Sequence, residues 1–277
     1  MRVVTDSTAD LPQALARQWG ITVVPLSVQF GEEAFRDGVD LGPEEFYRRL
    51  AGSTALPHTS QPSPGAFAQV YEALARGGHD VLSIHISSKL SGTYEAALRG
   101  REVARLEGKV EVVDSRLVSL GLGLAVLEAA RAAGVGASLE EVGQVALQAI
   151  PRVRLACLLD TLEYLRRGGR IGKAAAFLGS FLQIKPIVTL RDGEVHPLER
   201  ARTWPRGQER LCHLVSGCRN IAEMGVVYST GQEEAEALAK RLEAHISQGS
   251  IIIGQFGPVL GTYVGPGALG VVWREGP

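Results

Sequence analysis

A cluster of small hydroxyl side chains separates a predicted strand from a predicted helix in the first half of the sequence. Residues 81–86 are rich in Val, Leu and Ile, which is typical of a strand buried on both faces, and helical composition resumes at Tyr94. The hydroxyls between these two elements belong to Ser87, Ser88, Ser91 and Thr93. The first amides of a helix have no carbonyl partner within it and carry partial positive charge, so they favour an anion. The segment therefore predicts a site for a carboxylate or a phosphate.

Two other predicted strands also end in small polar side chains. The strand at Val3 and Val4 is followed by Asp6-Ser7-Thr8, and the strand at 110–113 is followed by Asp114-Ser115. Parallel strands place their carboxyl ends at one edge of a sheet, so these residues should gather with the hydroxyl cluster in one crevice. Their residue types are also those of helix caps and turn formers, and we expect that role for them.

A stiff segment from Leu56 to Gly65 precedes the hydroxyl cluster. It contains three prolines in ten residues, which restrict its backbone to largely extended conformations. Such a segment presents its side chains, including those of Thr59 and Ser60, in fixed positions.

The elements that would position these residues alternate between strands and helices, which is typical of an α/β fold. A chain of 277 residues exceeds the size at which a single core usually stops growing, so we expect two domains, divided at Pro151-Arg152. Residues 1–151 should form a mostly parallel, Rossmann-like sheet flanked by helices. Residues 152–277 should form an α/β domain with a mixed sheet, because Asp192-Gly193 predicts a tight type I′ hairpin.

Three further predicted elements bear on the polar residues. Ile21 to Phe30 is predicted as one strand, and Lys173 to Leu182 as an alanine-rich helix. Val118 to Ala137 is predicted as a buried helix rather than a membrane span, because Glu128 and Arg131 interrupt its apolar character. Small residues on this helix could leave room for a ligand, and they are Gly121, Gly123, Ala125, Ala129 and Ala130.

The composition argues against several classes of function. Lys plus Arg (29) nearly balance Asp plus Glu (30), and no run of basic residues occurs, which argues against nucleic acid as a partner. The three cysteines contain no CxxC pair, so neither a disulfide framework nor a zinc site is predicted. Met1 to Asp6 run directly into a charged strand and turn, which predicts no signal peptide. We therefore expect a cytoplasmic protein without a metal site and without stable membrane insertion.

Six segments, in order along the chain, together resemble the signature of a known family. They are DSTADL from Asp6, TSQPSPG from Thr59, SSKLSGTY from Ser87, LEYLRRGGRIG from Leu162, KPI from Lys185, and the glycine-rich segment 257–270. From these motifs the sequence is identified as a member of the DegV family of bacterial fatty-acid-binding proteins. The resemblance runs from residue 3 to about residue 272.

The resemblance implies a two-domain carrier of one long-chain, palmitate-like fatty acid, with no cofactor and no catalysis of its own. In such proteins the acyl chain lies inside the N-terminal domain and the carboxylate lies near the domain junction. The corresponding carboxylate-binding hydroxyls here are those of Thr59 and Ser91, with the Gly92 amide and Ser60 close by. Characterised relatives hand the acid to a separate ATP-dependent fatty acid kinase, which makes an acyl phosphate for phospholipid synthesis.

The elementary chemistry of such a ligand agrees with this expectation. A carboxylate removed from water requires several hydrogen-bond donors, or its burial costs on the order of several kcal/mol. An acyl chain gains about 0.8 kcal/mol for each buried methylene, so a long apolar slot would supply most of the affinity.

Two residues in the second half carry a further implication of the family. Arg170 corresponds to an arginine that lies near the fatty-acid carboxylate in the family, where it could stabilise the negative charge of the phosphoryl group during transfer. Tyr263 stands where relatives commonly have the histidine of a GTHxGPGA motif, so this chain departs from the pattern. Tyrosine donates a hydrogen bond but carries no positive charge near neutral pH. A fatty-acid-binding protein without a kinase partner therefore remains an alternative.

Two alternatives of other classes also remain. A serine-type hydrolase or acyltransferase would use Ser91, Ser88 or Thr59 as nucleophile and His58 or His85 as base, although the sequence has no GxSxG elbow. A phosphate-ligand enzyme of the doubly wound class would normally show GxxxxGK[ST], or GxGxxG between a strand and a helix. The first does not occur, and GxGxxG occurs at Gly265 to Gly270, inside the glycine-rich segment rather than at a predicted strand–helix turn.

Overall fold

The computed structural model describes residues 1–178, 184–218, 220–246 and 249–276. Strands and helices alternate along these residues, which confirms the α/β class. The helices are α1 (Gln13–Gln18), α2 (Pro43–Gly52), α3 (Pro64–Arg76), α4 (Thr93–Ala104), α5 (Leu120–Gly134), α6 (Leu139–Ala149), α7 (Glu163–Arg167), α8 (Trp204–Ser216), α9 (Gln232–Leu242) and α10 (Pro258–Val264). Short 3₁₀ turns occur at Ser7–Ala9, Ile150–Arg152, Gly172–Phe177 and Glu243–His245.

A parallel sheet occupies the first half of the chain, with strands in the order β2-β1-β6-β7. Its strands are β1 (Arg2–Asp6), β2 (Thr22–Val24), β6 (Val81–His85) and β7 (Val110–Asp114). All residues of β6 are buried, because α3 and α4 cover one face of the sheet and α5 and α6 cover the other. The predicted parallel sheet flanked by helices is confirmed.

A second, small antiparallel sheet was not predicted. It has the order β4-β3-β5 and contains β3 (Ser27–Phe30), β4 (Glu33–Arg36) and β5 (His58–Ser60). The prediction of one strand from Ile21 to Phe30 is therefore wrong: the chain leaves the parallel sheet at Pro25-Leu26. Proline donates no ladder hydrogen bond, and the Leu26 amide donates instead to the Ser7 hydroxyl at 3.1 Å.

The mixed sheet predicted for the second half is present. Its order is β10-β9-β8-β13-β11-β12, antiparallel except for the parallel pair of β11 and β12. The strands are β8 (Val153–Leu158), β9 (Lys185–Arg191), β10 (Glu194–Ala201), β11 (Ile221–Tyr228), β12 (Ile252–Gln255) and β13 (Leu269–Glu275). Asp192 and Gly193 join β9 to β10 with φ of 50° and 81°, the positive values that a type I′ turn requires.

Helix α5 lies between the two large sheets and packs on both. It contacts β1 and β6 on one side and β8, β11 and β13 on the other, so one hydrophobic cluster runs through both halves of the chain. On the far side of the mixed sheet, α8 and α9 cover a separate cluster. The division of domains at 151/152 stays a prediction, since the core is continuous across it.

The small residues of α5 serve close packing. A Cβ added at Gly123 would lie 2.9 Å from the carbonyl oxygen of Ala9, and one at Gly121 would lie 3.5 Å from Val153. The helix is also shorter than the predicted Val118 to Ala137. Among the described residues, no helix is both long enough and apolar enough to cross a bilayer.

The predicted helix from Lys173 to Leu182 differs from the structure in its first part. Gly172–Phe177 form a 3₁₀ turn that packs against β10. The last part of that prediction, residues 179–182, lies outside the described residues.

Candidate functional site

A cavity of about 330 Å³ lies where the parallel sheet, the small sheet and the mixed sheet meet. Small-molecule sites usually occupy about 300–1,000 Å³ and are mostly apolar, and this cavity fits both criteria. Its lining residues are Leu26, Thr59, Ser60, Gln61, Ile86, Leu90, Ser91, Val118, Ser119, Leu155, Ala156, Cys157, Leu159, Leu165, Arg170, Val188, Thr189, Leu190, Val195, Val227, Phe256, Val259, Leu260, Tyr263, Val264, Gly270 and Val272. Most of the wall therefore comes from the second half of the chain.

The mouth of the cavity is polar. Among the lining residues that the structure describes, only Ser60, Gln61 and Arg170 are exposed, and Thr59 and Ser91 beside them are half-buried. Thr59, Ser60, Ser91, Arg170 and Tyr263 were all predicted as site residues, and the fold brings the five together here. The remaining predicted residue, Gly92, precedes the first residue of α4 and lies under the Gln61 side chain rather than in the wall.

Thr59 is placed by strand pairing and a long-range hydrogen bond. It lies in β5 opposite Val28 of β3, so the stiff segment predicted from its prolines is extended here. Its hydroxyl lies 2.5 Å from the Tyr263 hydroxyl of α10. Either oxygen could donate, so while this bond holds one of the two hydroxyl protons is free to point towards a ligand.

Arg170 supplies a positive charge at the same mouth. Its guanidinium lies 5.2 Å from the centre of the Tyr263 ring, a cation–π arrangement. Its Nε donates to the Leu90 carbonyl at 3.2 Å and its Nη1 to the Gly168 carbonyl at 2.9 Å. These partners are neutral, so the charge of Arg170 is available to an anion.

Ser91 completes the group of hydroxyls. Its Oγ lies 2.9 Å from the Thr93 Oγ1 at the start of α4. Thr93 is fully buried, whereas Ser91 is half-buried and lines the cavity. The mouth thus combines four hydroxyls, from Thr59, Ser60, Ser91 and Tyr263, with the guanidinium of Arg170.

Two buried carboxyl groups hold the N-terminus of α10, the helix that carries Tyr263. Asp10 accepts from the Gly257 amide at 2.9 Å and from the Ser119 hydroxyl at 2.6 Å. Burial raises the pKa of Asp37 to about 7, and one of its oxygens has no hydrogen-bond partner.

Ser119 has φ of 55° and ψ of −150°, a strained conformation found almost only in glycine. No sequence signal identified Asp37 or the strain at Ser119.

The polar residues at the ends of β1 and β7 act as caps and turn formers, as predicted. Asp6 accepts from the Thr8 and Ile86 amides at 3.1 and 3.0 Å and from the His85 Nδ1 at 2.9 Å. Asp114 accepts from the Ser88 amide at 3.1 Å and from the Ser88 hydroxyl at 2.6 Å. Asp6 and Asp114 lie outside the cavity wall.

The geometry does not favour a serine hydrolase. In the described part of the chain, the hydroxyls of Ser91, Ser88 and Thr59 have no histidine partner. His85 instead forms hydrogen bonds to Ser83 at 2.7 Å and to Asp6. This Ser–His–Asp chain of hydrogen bonds resembles that of a hydrolytic triad. Ser83, His85 and Asp6 are all fully buried, so a substrate has no access to them.

No metal centre is indicated by residues 1–178, 184–218, 220–246 and 249–276. They contain no group of three or more His, Cys, Asp or Glu side chains arranged to hold an ion.

The sequence model of the DegV family, which is described as a family of uncharacterised proteins, matches residues 1–276. The chain belongs to the DegV family. A DegV domain-containing protein of Caldanaerobacter subterraneus subsp. tengcongensis is 36% identical over 280 residues, covering 99% of this chain and 98% of its own.

Solved structures of the DegV family share the whole fold. A DegV family protein of Thermus thermophilus, described for its fatty acid binding, is 36% identical and covers 99% of both chains with a TM-score of 0.92. DegV of Bacillus subtilis, described as a fatty acid binding protein, is 33% identical, covers 99% of both chains and has a TM-score of 0.89.

The cavity of this DegV protein differs in two respects from what the sequence led us to expect. None of the small residues of α5 lines it, and most of its wall belongs to residues 155–272 rather than to 1–151.

Proposed function

We propose that this protein binds one long-chain fatty acid, with the carboxylate at the mouth of the cavity and the acyl chain in its apolar interior. The observation that carries the proposal is the junction of an apolar cavity of about 330 Å³ with four hydroxyls and one guanidinium at its exposed end. The fatty acid binding described for the Thermus thermophilus and Bacillus subtilis relatives supports it.

The mouth offers the donors that a carboxylate requires. Thr59 and Ser91 would each donate one hydroxyl hydrogen bond, and Tyr263 would donate a third once its bond to Thr59 gives way to the ligand. The Ser60 side chain lines the same mouth, and the amide of Gly92, which follows Ser91 outside the wall, would complete the group. Charge-assisted hydrogen bonds are worth about 1.5–3 kcal/mol each, which offsets the desolvation of the carboxylate.

The acyl chain would lie between the sheets rather than within the N-terminal domain alone. Ile86 and Leu26 provide one wall, and Leu155, Val227 and Val272 of the mixed sheet provide the other. At about 0.8 kcal/mol for each methylene, this apolar contact would supply most of the affinity for the acid.

The protein would act as a carrier in the cytoplasm and present the acid to a separate ATP-dependent fatty acid kinase. Arg170 is exposed at the mouth, where its positive charge would stabilise the negative charge of the phosphoryl group during its transfer to the carboxylate. Tyr263 would orient the same group but supplies no positive charge near neutral pH. The carrier would perform no catalysis alone, and a binding protein without a kinase partner is the alternative outcome.

The test is native mass spectrometry of the purified protein together with mass spectrometry of its extracted lipid. We expect one long-chain fatty acid per chain, and loss of that acid in the double variant Thr59→Ala/Ser91→Ala with its circular dichroism unchanged. Ser216→Ala, on the outer surface of α8, is the control. A wild-type protein that is empty and takes up neither palmitate nor oleate would contradict the proposal.

The kinase step needs a separate measurement. Loaded protein, ATP and a fatty acid kinase should together yield acyl phosphate, trapped with hydroxylamine as the hydroxamate. The Tyr263→His variant should increase the yield if phosphoryl transfer needs a cation at this position. If neither the wild type nor the Tyr263→His variant yields acyl phosphate, the protein is a fatty-acid carrier that works without a kinase.

A further inference from the structure

The floor of the cavity is a row of residues on one face of the mixed sheet. The row crosses β11, β13, β8 and β9 and consists of Val227, Gly270, Cys157 and Val188. All four line the cavity and all four are buried. The row therefore belongs to the buried part of the wall, whereas the exposed lining residues are at the mouth.

Gly270 is the one residue of this floor without a side chain. It lies inside β13, the strand between β8 and β11, where glycine weakens a sheet. Its φ is outside the left-handed region, so the backbone conformation does not require glycine. A glycine at such a position often marks close approach of a ligand to the backbone.

Gly225 on the same face provides a comparison. It lies in β11 opposite Val272, and a Cβ added there would lie 2.9 Å from Leu120 Cδ1 of α5. The space beside Gly225 is therefore filled by a protein side chain. A Cβ added at Gly270 would also meet a protein side chain, at 2.9 Å from Val227 Cγ1, with Ala156 O at 3.6 Å and Cys157 Sγ at 3.7 Å, but Gly270 lines the cavity and Gly225 does not.

We propose that Gly270 is a specificity-determining residue that admits the methyl end of the acyl chain and, with Val227 and Cys157, sets the longest chain that fits. This inference rests on the fatty-acid site proposed above and adds the selection of chain length to it. The apolar side chains of Val227 and Cys157 suit a terminal methyl group, and without a Cβ at position 270 the Val227 side chain can lie close to the strand instead of projecting further into the cavity.

The size of the effect follows from the value of a buried methylene. A chain that loses contact for one methylene loses about fourfold in affinity, and for two about fifteenfold. A methyl group added at position 270 would exclude the end of the longest chains, and shorter chains would not reach it. The affinity for long acids should therefore fall while that for short acids stays constant.

The experiment measures the Kd of a saturated series from laurate to stearate with the delipidated full chain. For Gly270→Ala we expect the ratio of the stearate Kd to the myristate Kd to rise about tenfold over the wild type. Gly225→Ala is the matched control, because its added Cβ meets an equally close side chain but does not face the cavity. It should lower stability and leave that ratio unchanged.

A second variant works in the opposite direction. Val227→Ala removes two methyl groups from the floor next to Gly270, so it should improve the binding of stearate relative to myristate. An unchanged ratio in both Gly270→Ala and Val227→Ala would overturn the inference. If Gly270→Ala does not fold, an unchanged ratio in Val227→Ala alone overturns it.

The same data separate this inference from the function on which it rests. A wild-type protein that binds no acid of the series contradicts the proposed function. A wild-type protein that binds the series, with variants that keep its chain-length profile, contradicts only the role of Gly270.

Discussion

The hydroxyls of Thr59 and Tyr263 lie 2.5 Å apart although 204 positions separate the two residues. Thr59 belongs to an edge strand of the small sheet, and Tyr263 to a short helix that packs on α2 and α7. The bond joins the two halves of the chain at the mouth of the cavity, so any ligand that uses Thr59 also meets Tyr263.

Replacing Tyr263 by phenylalanine should weaken fatty acid binding. The variant keeps the ring under Arg170 but removes one donor, and a hydrogen bond to a charged group is worth about 1.5–3 kcal/mol, so the Kd should rise at least about tenfold. Titration calorimetry with palmitate measures the change. Tyr228→Phe, whose hydroxyl bonds to Gln232 away from the cavity, is the control. Equal Kd values for both variants would exclude a hydrogen bond from Tyr263 to the carboxylate.

Replacing Arg170 by glutamine should remove the salt dependence of binding. An exposed charge near a carboxylate contributes about 0.2–1 kcal/mol and is screened by salt. The wild-type Kd should therefore rise between about 50 mM and about 500 mM NaCl, while the Kd of Arg170→Gln stays constant. Arg166→Gln removes an arginine that pairs with Glu163, so it should keep the wild-type salt dependence. The same slope in all three proteins would contradict a contact between Arg170 and the carboxylate.

Replacing Asp37 by asparagine should flatten the dependence of stability on pH. Burial, and to a smaller extent the charge of Asp6, raises the pKa of Asp37 from 3.8 to about 7. The folded state therefore holds a proton that the unfolded state has released, and the stability this provides is lost as the pH rises from about 4 to above about 7.

The free energy of unfolding of the wild type should thus fall over this range, and Asp37→Asn should be more stable than the wild type at pH 8 by about 2–4 kcal/mol. Urea denaturation at a series of pH values measures it. Asp40→Asn is the control, because the Arg36 side chain lowers the pKa of Asp40 to about 2, below this range. A parallel fall in wild type and Asp37→Asn would show that Asp37 does not titrate here.

Replacing Arg274 by methionine should destabilise the junction of the two large sheets with α5. Arg274 is only 7% exposed and lies 3.0 Å from Glu128 and 3.5 Å from Glu223, whose other oxygen binds Arg131 at 2.6 Å. Without Arg274, Glu223 keeps a single cation in a buried position, so the free energy of unfolding should fall by about 3 kcal/mol.

Urea denaturation followed by tryptophan fluorescence measures this loss. The matched control is Arg154→Met, which breaks an exposed pair with Glu275 at 3.3 Å and should change the stability by less than about 1 kcal/mol. Losses of equal size in the two variants would mean that burial of Arg274 does not matter.

The elements of the fold that depend on neighbours in sequence were predictable. The apolar run before Ser87 predicted β6, the prolines around Thr59 predicted an extended segment, and Asp192-Gly193 predicted the hairpin of β9 and β10. In each case the residue types restrict the local backbone directly, whatever the rest of the chain does.

The sequence by itself therefore determined the α/β order of elements, the family, and the hydroxyl and arginine side chains available for an anion. Only the tertiary structure decided that Pro25-Leu26 moves the chain from one sheet to another and that Thr59 meets Tyr263. It also decided that the cavity is lined by Gly270 and its neighbours in the mixed sheet rather than by the small residues of α5. These features depend on contacts between residues far apart in sequence, where packing and strand register select the partners, and no local pattern records that choice.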